Sequence, residues 1–285
     1  MAKTIGNPAS WTAHAMRETG SHVGASMEGI GSKDQTTAPL VRKLEFEDLT
    51  NALRAGFEDF MAARADVIFI ALIYPLAGLV MITMGLSMNL IPLVVPMIMG
   101  FALLGPVAAV GLYEISRLRE AGENPDWLDA FGIIRTPSFG GIVVLGLFLA
   151  LLFIIWMIVA QFVYASTLGP EPPVSIATFA HDVFTTSQGW AMIILGTGTG
   201  VIFAIVALAT SLVSFPLLLD RQIGLPIAVV TSFRVLRKSP LVTVSWGLIV
   251  GVLLAAGSLP ILLGLIVVLP VLGHATWHLY RKAVV

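Results

Sequence analysis

Two histidines raise the question of chemistry first. His274 and His278 stand in the run Gly273-His274-Ala275-Thr276-Trp277-His278, one helical turn apart. An i, i+4 spacing puts both imidazoles on one face of a helix, where they can share a metal ion. Either could instead be an axial haem ligand, or both could belong to a proton-carrying or purely structural polar network. No Asp or Glu lies nearby in sequence to complete a ligand set, and Trp277 and Tyr280 fit an aromatic belt at the lipid headgroups. The structural network is the expected role, with no metal and no cofactor.

Glu114 and Asp220 come next. Each sits at the inner end of an apolar stretch, as His278 does, so one titratable group closes each outgoing helix. Titratable groups near hydrocarbon are functional candidates by default. The plainer reading makes them hydrated interfacial groups paired with Arg117 and Arg221. His274, His278, Glu114 and Asp220 are the candidate polar network.

Other chemistry is thin. The cysteine count is zero, which excludes disulfides, thiolate metal sites and cysteine nucleophiles. Gly196-Thr197-Gly198-Thr199-Gly200 lies inside an apolar run without the preceding strand a phosphate-binding loop needs, so close helix approach explains it better. Met81, Met84 and Met88 recur at helical spacing and suit packing rather than copper. No nucleophile elbow and no basic stripe with interleaved aromatics is present, so neither a hydrolase nor nucleic-acid binding is expected.

The elements that must carry these residues are apolar. Hydrophobic residues make up 57% of the 285 and charged ones 12%, with a mean hydropathy of +0.92. A soluble domain carries about 25% charged residues. Six continuous apolar stretches are expected to span a bilayer, near 67–87, 90–113, 139–164, 191–219, 241–257 and 259–280. Their continuity favours helices over an alternating barrel pattern. The fold class expected is all-α: a polytopic membrane bundle of six transmembrane helices over 44–285, preceded by a disordered cytoplasmic tail over 1–43.

Charge sets the orientation. All 16 Lys and Arg lie before the first stretch, between the second and third, between the fourth and fifth, or after the sixth. Positive charge marks the cytoplasmic side, so both termini are expected there, with 165–189 as the one sizeable outside loop. No Asp, Glu, Lys or Arg falls at mid-bilayer, which counts against an ion-coupled transporter.

A unit recurs three times. Phe60 and Arg64, Phe131 and Arg135, and Phe233 and Arg237 each form Phe-x-x-x-Arg just before an apolar pair. Phe can enter the acyl boundary while Arg stays at the headgroups, so these residues are expected interfacial anchors. Pro106-Val107, Tyr113 and Arg117 also repeat as Pro270-Val271, Trp277 and Arg281. The expected plan is three repeats of an interfacial helix plus two spans, related by an axis near the membrane normal.

From about Leu44 to Ala283 the chain resembles the domain of unknown function 2189 family of bacterial integral membrane proteins. The resemblance rests on Gly111-Leu112-Tyr113-Glu114-Ile115-Ser116-Arg117, on Phe215-Pro216-Leu217-Leu218-Leu219-Asp220-Arg221, and on the run from Leu269 to Arg281 containing both histidines. It implies a multi-pass protein of the bacterial inner membrane. Some members carry the label of cytochrome c oxidase subunits, which implies a loose respiratory association. This chain has only His274 and His278 within its apolar stretches, so it is not an oxidase catalytic subunit. The expected function is a non-enzymatic accessory or assembly factor, with the lipid bilayer and a respiratory membrane complex as partners. The alternatives are a small-solute transporter or permease, and a haem- or metal-handling protein.

Overall fold

A computed structural model describes residues 39–62, 67–87, 90–221 and 223–285. Most of the expected N-terminal tail, and Arg64 of the first Phe-x-x-x-Arg segment, lie outside these residues. The described residues are helical, with no strand beyond a single antiparallel bridge between Val41 and Val284. In chain order the helices are α1 (Phe46–Ala62), α2 (Val67–Ser87), α3 (Ile91–Phe101), α4 (Gly105–Ala108), α5 (Val110–Glu120), α6 (Phe139–Thr167), α7 (Ile176–Thr185), α8 (Ser187–Ser211), α9 (Ser214–Asp220), α10 (Leu225–Lys238), α11 (Pro240–Ser258) and α12 (Leu265–Ala283).

Among the described residues, four helical runs are long and apolar enough to cross a membrane: Ile91–Glu120, Phe139–Thr167, Ser187–Asp220 and Pro240–Ser258. Length and apolarity therefore qualify four of the six expected spans. α2 shows a shorter apolar run, Leu72–Ser87. α12 carries Arg281 and Lys282 in its last turn. The long runs are helical because hydrocarbon offers the backbone no partner but itself. They break where the sequence allows it. A 3-10 turn, Ala102–Leu104, separates α3 from α4. Pro216 lies in α9, and Pro270 inside α12.

The tightest packing lies at the charged end, not in the apolar middle. Tyr113, Phe215, Leu217, Leu218, Trp277, Leu279 and Tyr280 are all within 2% of full burial. Halfway along the lipid-facing helices, Leu147, Ile158, Ile194 and Leu248 stay exposed. Three short segments close this end by crossing a helix at small residues. α1 runs against α12, where a Cβ on Gly56 would lie 2.5 Å from the Ala275 nitrogen. The 3-10 segment Asp129–Arg135 packs on α5, where a Cβ on Gly111 would meet that of Ala130 at 3.1 Å. α10 packs on α8 and α9, where Ser214 Oγ donates to the Ala228 carbonyl at 3.2 Å. A strap ties the chain ends together: Arg42 N–H donates to Ala283 O at 2.8 Å, Val285 N–H to Leu40 O at 2.9 Å, and Leu44 N–H to Ser239 Oγ at 2.8 Å.

Candidate functional site

The two histidines meet a carboxylate more than two hundred residues away in sequence. Asp59, on the face of α1 that carries Ala52 and Gly56, is delivered by the close α1–α12 crossing. Its Oδ2 lies 2.9 Å from His278 Nε2 and 2.7 Å from Ser116 Oγ, and Ser116 Oγ lies 2.7 Å from His274 Nδ1. Arg119 supports Asp59 from α5, with Nε 3.5 Å from Oδ1 and Nη1 donating to the Asp59 carbonyl at 3.0 Å.

Proton counting assigns the donors. Three contacts join the four side chains, and each needs one proton. With Asp59 ionised, Ser116 donates to Asp59, His278 donates through Nε2, and His274 donates through Nδ1 to Ser116. Every contact is then filled without requiring a charge on either imidazole. Burial alone would raise the Asp59 carboxyl, but the hydrogen bonds from His278 and Ser116, with the nearby imidazoles, outweigh it and hold its pKa below the ordinary 3.8. His274 Nε2 is left buried without a partner. Ser116 is 1% exposed and its hydroxyl is committed on both sides, so it is not a nucleophile open to substrate.

The other two candidates belong to neighbouring clusters. Glu114 stays on its own helix, holding Arg117 through two bonds of 2.7 Å beneath the 3-10 segment. Asp220 accepts from Tyr280 Oη at 2.6 Å and lies 3.4 Å from Arg281 Nη1 and 3.8 Å from Arg221 Nε. Glu120 closes the layer, accepting from Trp277 Nε1 and from Arg281 Nε, each at 3.0 Å. The structure thus brings His274 and His278 together on Asp59, and sets Glu114 and Asp220 apart with their own cations.

Among the anchors, Phe131 and Phe233 are exposed, as are Arg135 and Arg237, while Phe60 is half-buried. The third segment is α-helical, as are the described residues 60–62 of the first, and the second is a 3-10 segment. Sequence reasoning missed Asp59, Ser116, Glu120 and Tyr280. The signal for Asp59 was available: it continues the small-residue stripe of Ala52 and Gly56 at helical spacing, an unusual place for a carboxylate with no internal partner.

A cleft of about 300 Å³ opens beside the cluster, lined by Asn51, Ala55, Glu120, His278 and Arg281 among others. Among the described residues, no three His, Asp or Glu side chains converge as a metal site would require.

Residues 94–220 match the family of predicted integral membrane proteins called domain of unknown function 2189. That span includes Glu114, Ser116 and Asp220 and ends before α12, so the histidines lie outside it. No curated protein and no solved structure matches the chain.

Proposed function

We propose that this integral membrane protein is a non-enzymatic accessory or assembly factor of the bacterial inner membrane, serving a respiratory membrane complex, with both termini in the cytoplasm. The observation that carries the reading is the way the titratable groups at the charged end are used up. Asp59, Ser116, both histidines, Glu114, Glu120 and Asp220 bond to one another or to neighbouring cations. Such a layer fixes helix ends against each other and leaves the lipid-facing sides for a partner. The cleft beside His278 lies at the charged end, away from mid-membrane where a solute pathway is expected.

A threefold order of amphipathic segments, each followed by a pair of apolar helices, belongs to the same reading. Each amphipathic segment docks on the outgoing helix of the preceding unit: the 3-10 segment on α5, α10 on α8 and α9, and α1 on α12, which closes the ring. Each crossing uses small residues, at Gly111 and Ala130, Ser214 and Ala228, and Gly56 and Ala275. This cyclic order supports three units of common orientation around an axis near the membrane normal.

Purification in mild detergent at native expression levels tests the function. A membrane complex should co-purify in fixed ratio, and the isolated chain should show no visible haem absorption. A chain that runs alone and carries solute flux in liposomes would overturn the accessory reading in favour of a permease. A bound chromophore would replace it with haem handling.

A further inference from the structure

α11 and α12 form a hairpin closed by residues 259–264. Its depth in the membrane can be read from its neighbours. At the tip, a Cβ on Gly78 would stand 2.8 Å from Leu262 Cδ1, so Leu262 packs on the middle of α2. From there α2 continues from Leu79 to Ser87, a further ~13 Å at ~1.5 Å per residue. α8 gives a second measure. A Cβ on Gly247 would lie 2.9 Å from Leu208 Cδ2, and α8 ends where α11 begins, at the charged end: α8 leads into Ser214, bonded to α10, and α11 follows Ser239, bonded to the chain-end strap. The rise from Gly247 to Ser258 matches the stretch of α8 from Leu208 back to Thr197. α8 then continues to Ser187, another ~15 Å.

The charged side agrees. The half of α12 from His274 to Ala283 packs against α1. On α1 the Arg54–Glu58 pair is 83% and 64% exposed, so α1 cannot lie in hydrocarbon. That leaves Leu265–Gly273 of α12 for the bilayer core, a rise of ~13 Å against ~30 Å of hydrocarbon.

The tip is built for an apolar surrounding. Leu259, Ile261 and Leu263 are strongly exposed, and no charged side chain lies between Lys238 and Arg281. Pairing of its polar groups is what stabilises non-helical backbone at membrane depth. The reversal pairs part of its own backbone: Leu262 N–H donates to Ser258 O at 3.1 Å, Leu263 N–H to Pro260 O at 2.9 Å, and Leu265 N–H to Leu262 O at 3.0 Å, while the Ile261 and Gly264 N–H groups have no backbone partner among the described residues. Pro260 has no N–H to satisfy, and Ser258 Oγ returns to Leu254 O at 2.7 Å. Ile261 and Leu262 take φ of 52° and 65°, the left-handed region, which closes the reversal tightly. A Cβ on Gly264 would lie 2.7 Å from Gly257 O, so only glycine fits that closure. By contrast, the outside segment 165–189 carries Glu171, His181 and Asp182.

We propose that α11 and α12 form a re-entrant hairpin. It enters from the charged side, turns at 259–264 within the hydrocarbon against lipid acyl chains, and returns without reaching the opposite aqueous face. The hairpin anchors the strap-and-cluster end in one leaflet, while α2, α3, α6 and α8 extend past it. This holds whichever partner the protein serves.

The chain has no native cysteine, so single cysteines report cleanly. The full-length variants Leu259→Cys and Ile261→Cys, in native membranes, are labelled with a membrane-impermeant maleimide applied to each side in turn. Glu171→Cys and Glu123→Cys serve as references for the two aqueous faces. Maleimide needs the thiolate, which hydrocarbon disfavours. Both tip positions should label at least tenfold more slowly than the references from either side. A nitroxide attached at either tip position should be relaxed by oxygen and not by a water-soluble nickel chelate. Both side chains point away from protein packing, so folding is preserved, and full-length yield and gel-filtration profile check it. Labelling of either tip cysteine at the Glu171→Cys rate, or relaxation by nickel, would overturn the re-entrant hairpin in favour of two full spans.

Discussion

Replacing Asp59 by Ala isolates what the polar cluster contributes to holding α1 on the bundle. The carboxylate accepts from Ser116 Oγ at 2.7 Å and His278 Nε2 at 2.9 Å, with Arg119 at 3.5 Å. A hydrogen bond to a charged group contributes about 1.5–3 kcal/mol. The His278 side chain is 26% exposed, so water recovers part of that bond, whereas Ser116 is 1% exposed and recovers nothing. Breaking a buried charged pair from one side costs about 3–5 kcal/mol, because the remaining partners are stranded. Partial exposure puts the variant near the bottom of that range, about 3–4 kcal/mol. For a chain of this size that is a fall in Tm of roughly 6–16 °C in detergent. Arg54→Ala is the control: its ion pair with Glu58 is exposed and contributes less than about 1 kcal/mol. A double-mutant cycle of Asp59→Ala with Ser116→Ala should return a coupling of about 1–3 kcal/mol. An Asp59→Ala shift no larger than that of Arg54→Ala, or a coupling under about 0.5 kcal/mol, would refute the reasoning.

Gly56→Ala should destabilise by about 1–3 kcal/mol through overpacking, since the added methyl would meet the Ala275 backbone at 2.5 Å. Thermal unfolding reads it, and Gly105→Ala, where nothing lies within 4 Å, should be neutral or stabilising. The depressed Asp59 carboxyl has a definite pH signature. Its contribution is fully present above the unfolded value of 3.8 and is lost as pH falls through the lower folded value. The Tm gap between wild type and Asp59→Asn should therefore narrow as the pH falls below the ordinary carboxylate value of 3.8. Reporter fusions at residue 40, at 230 and after Val285 should read cytoplasmic and a fusion at 172 periplasmic; a periplasmic reading at 230 would reverse the assigned orientation.

Residue types and their order along the chain determined much of this protein. An apolar majority and continuous apolar runs can be stable only as helices in lipid, because hydrocarbon leaves the backbone no other partner. The one-sided placement of Lys and Arg groups four stretches of the chain on one face. The i, i+4 spacing put His274 and His278 on one helix face before any fold was known. What the histidines bond to was not legible. Asp59 reaches them only because Gly56 lets α1 approach the Ala275 backbone, and the closeness of two distant helices is a property of packing, not of local pattern. Glu114 and Asp220 looked equivalent to His278 by position, yet each found a nearer cation or hydroxyl once the helix ends were in place. Of the last two helices, α11 has the length and composition of a full span and α12 does not. The depth proposed for the pair rests instead on where Leu262 meets Gly78 and where α12 meets α1. A hydropathy pattern records how apolar a segment is, and only its neighbours record how far into the bilayer it reaches.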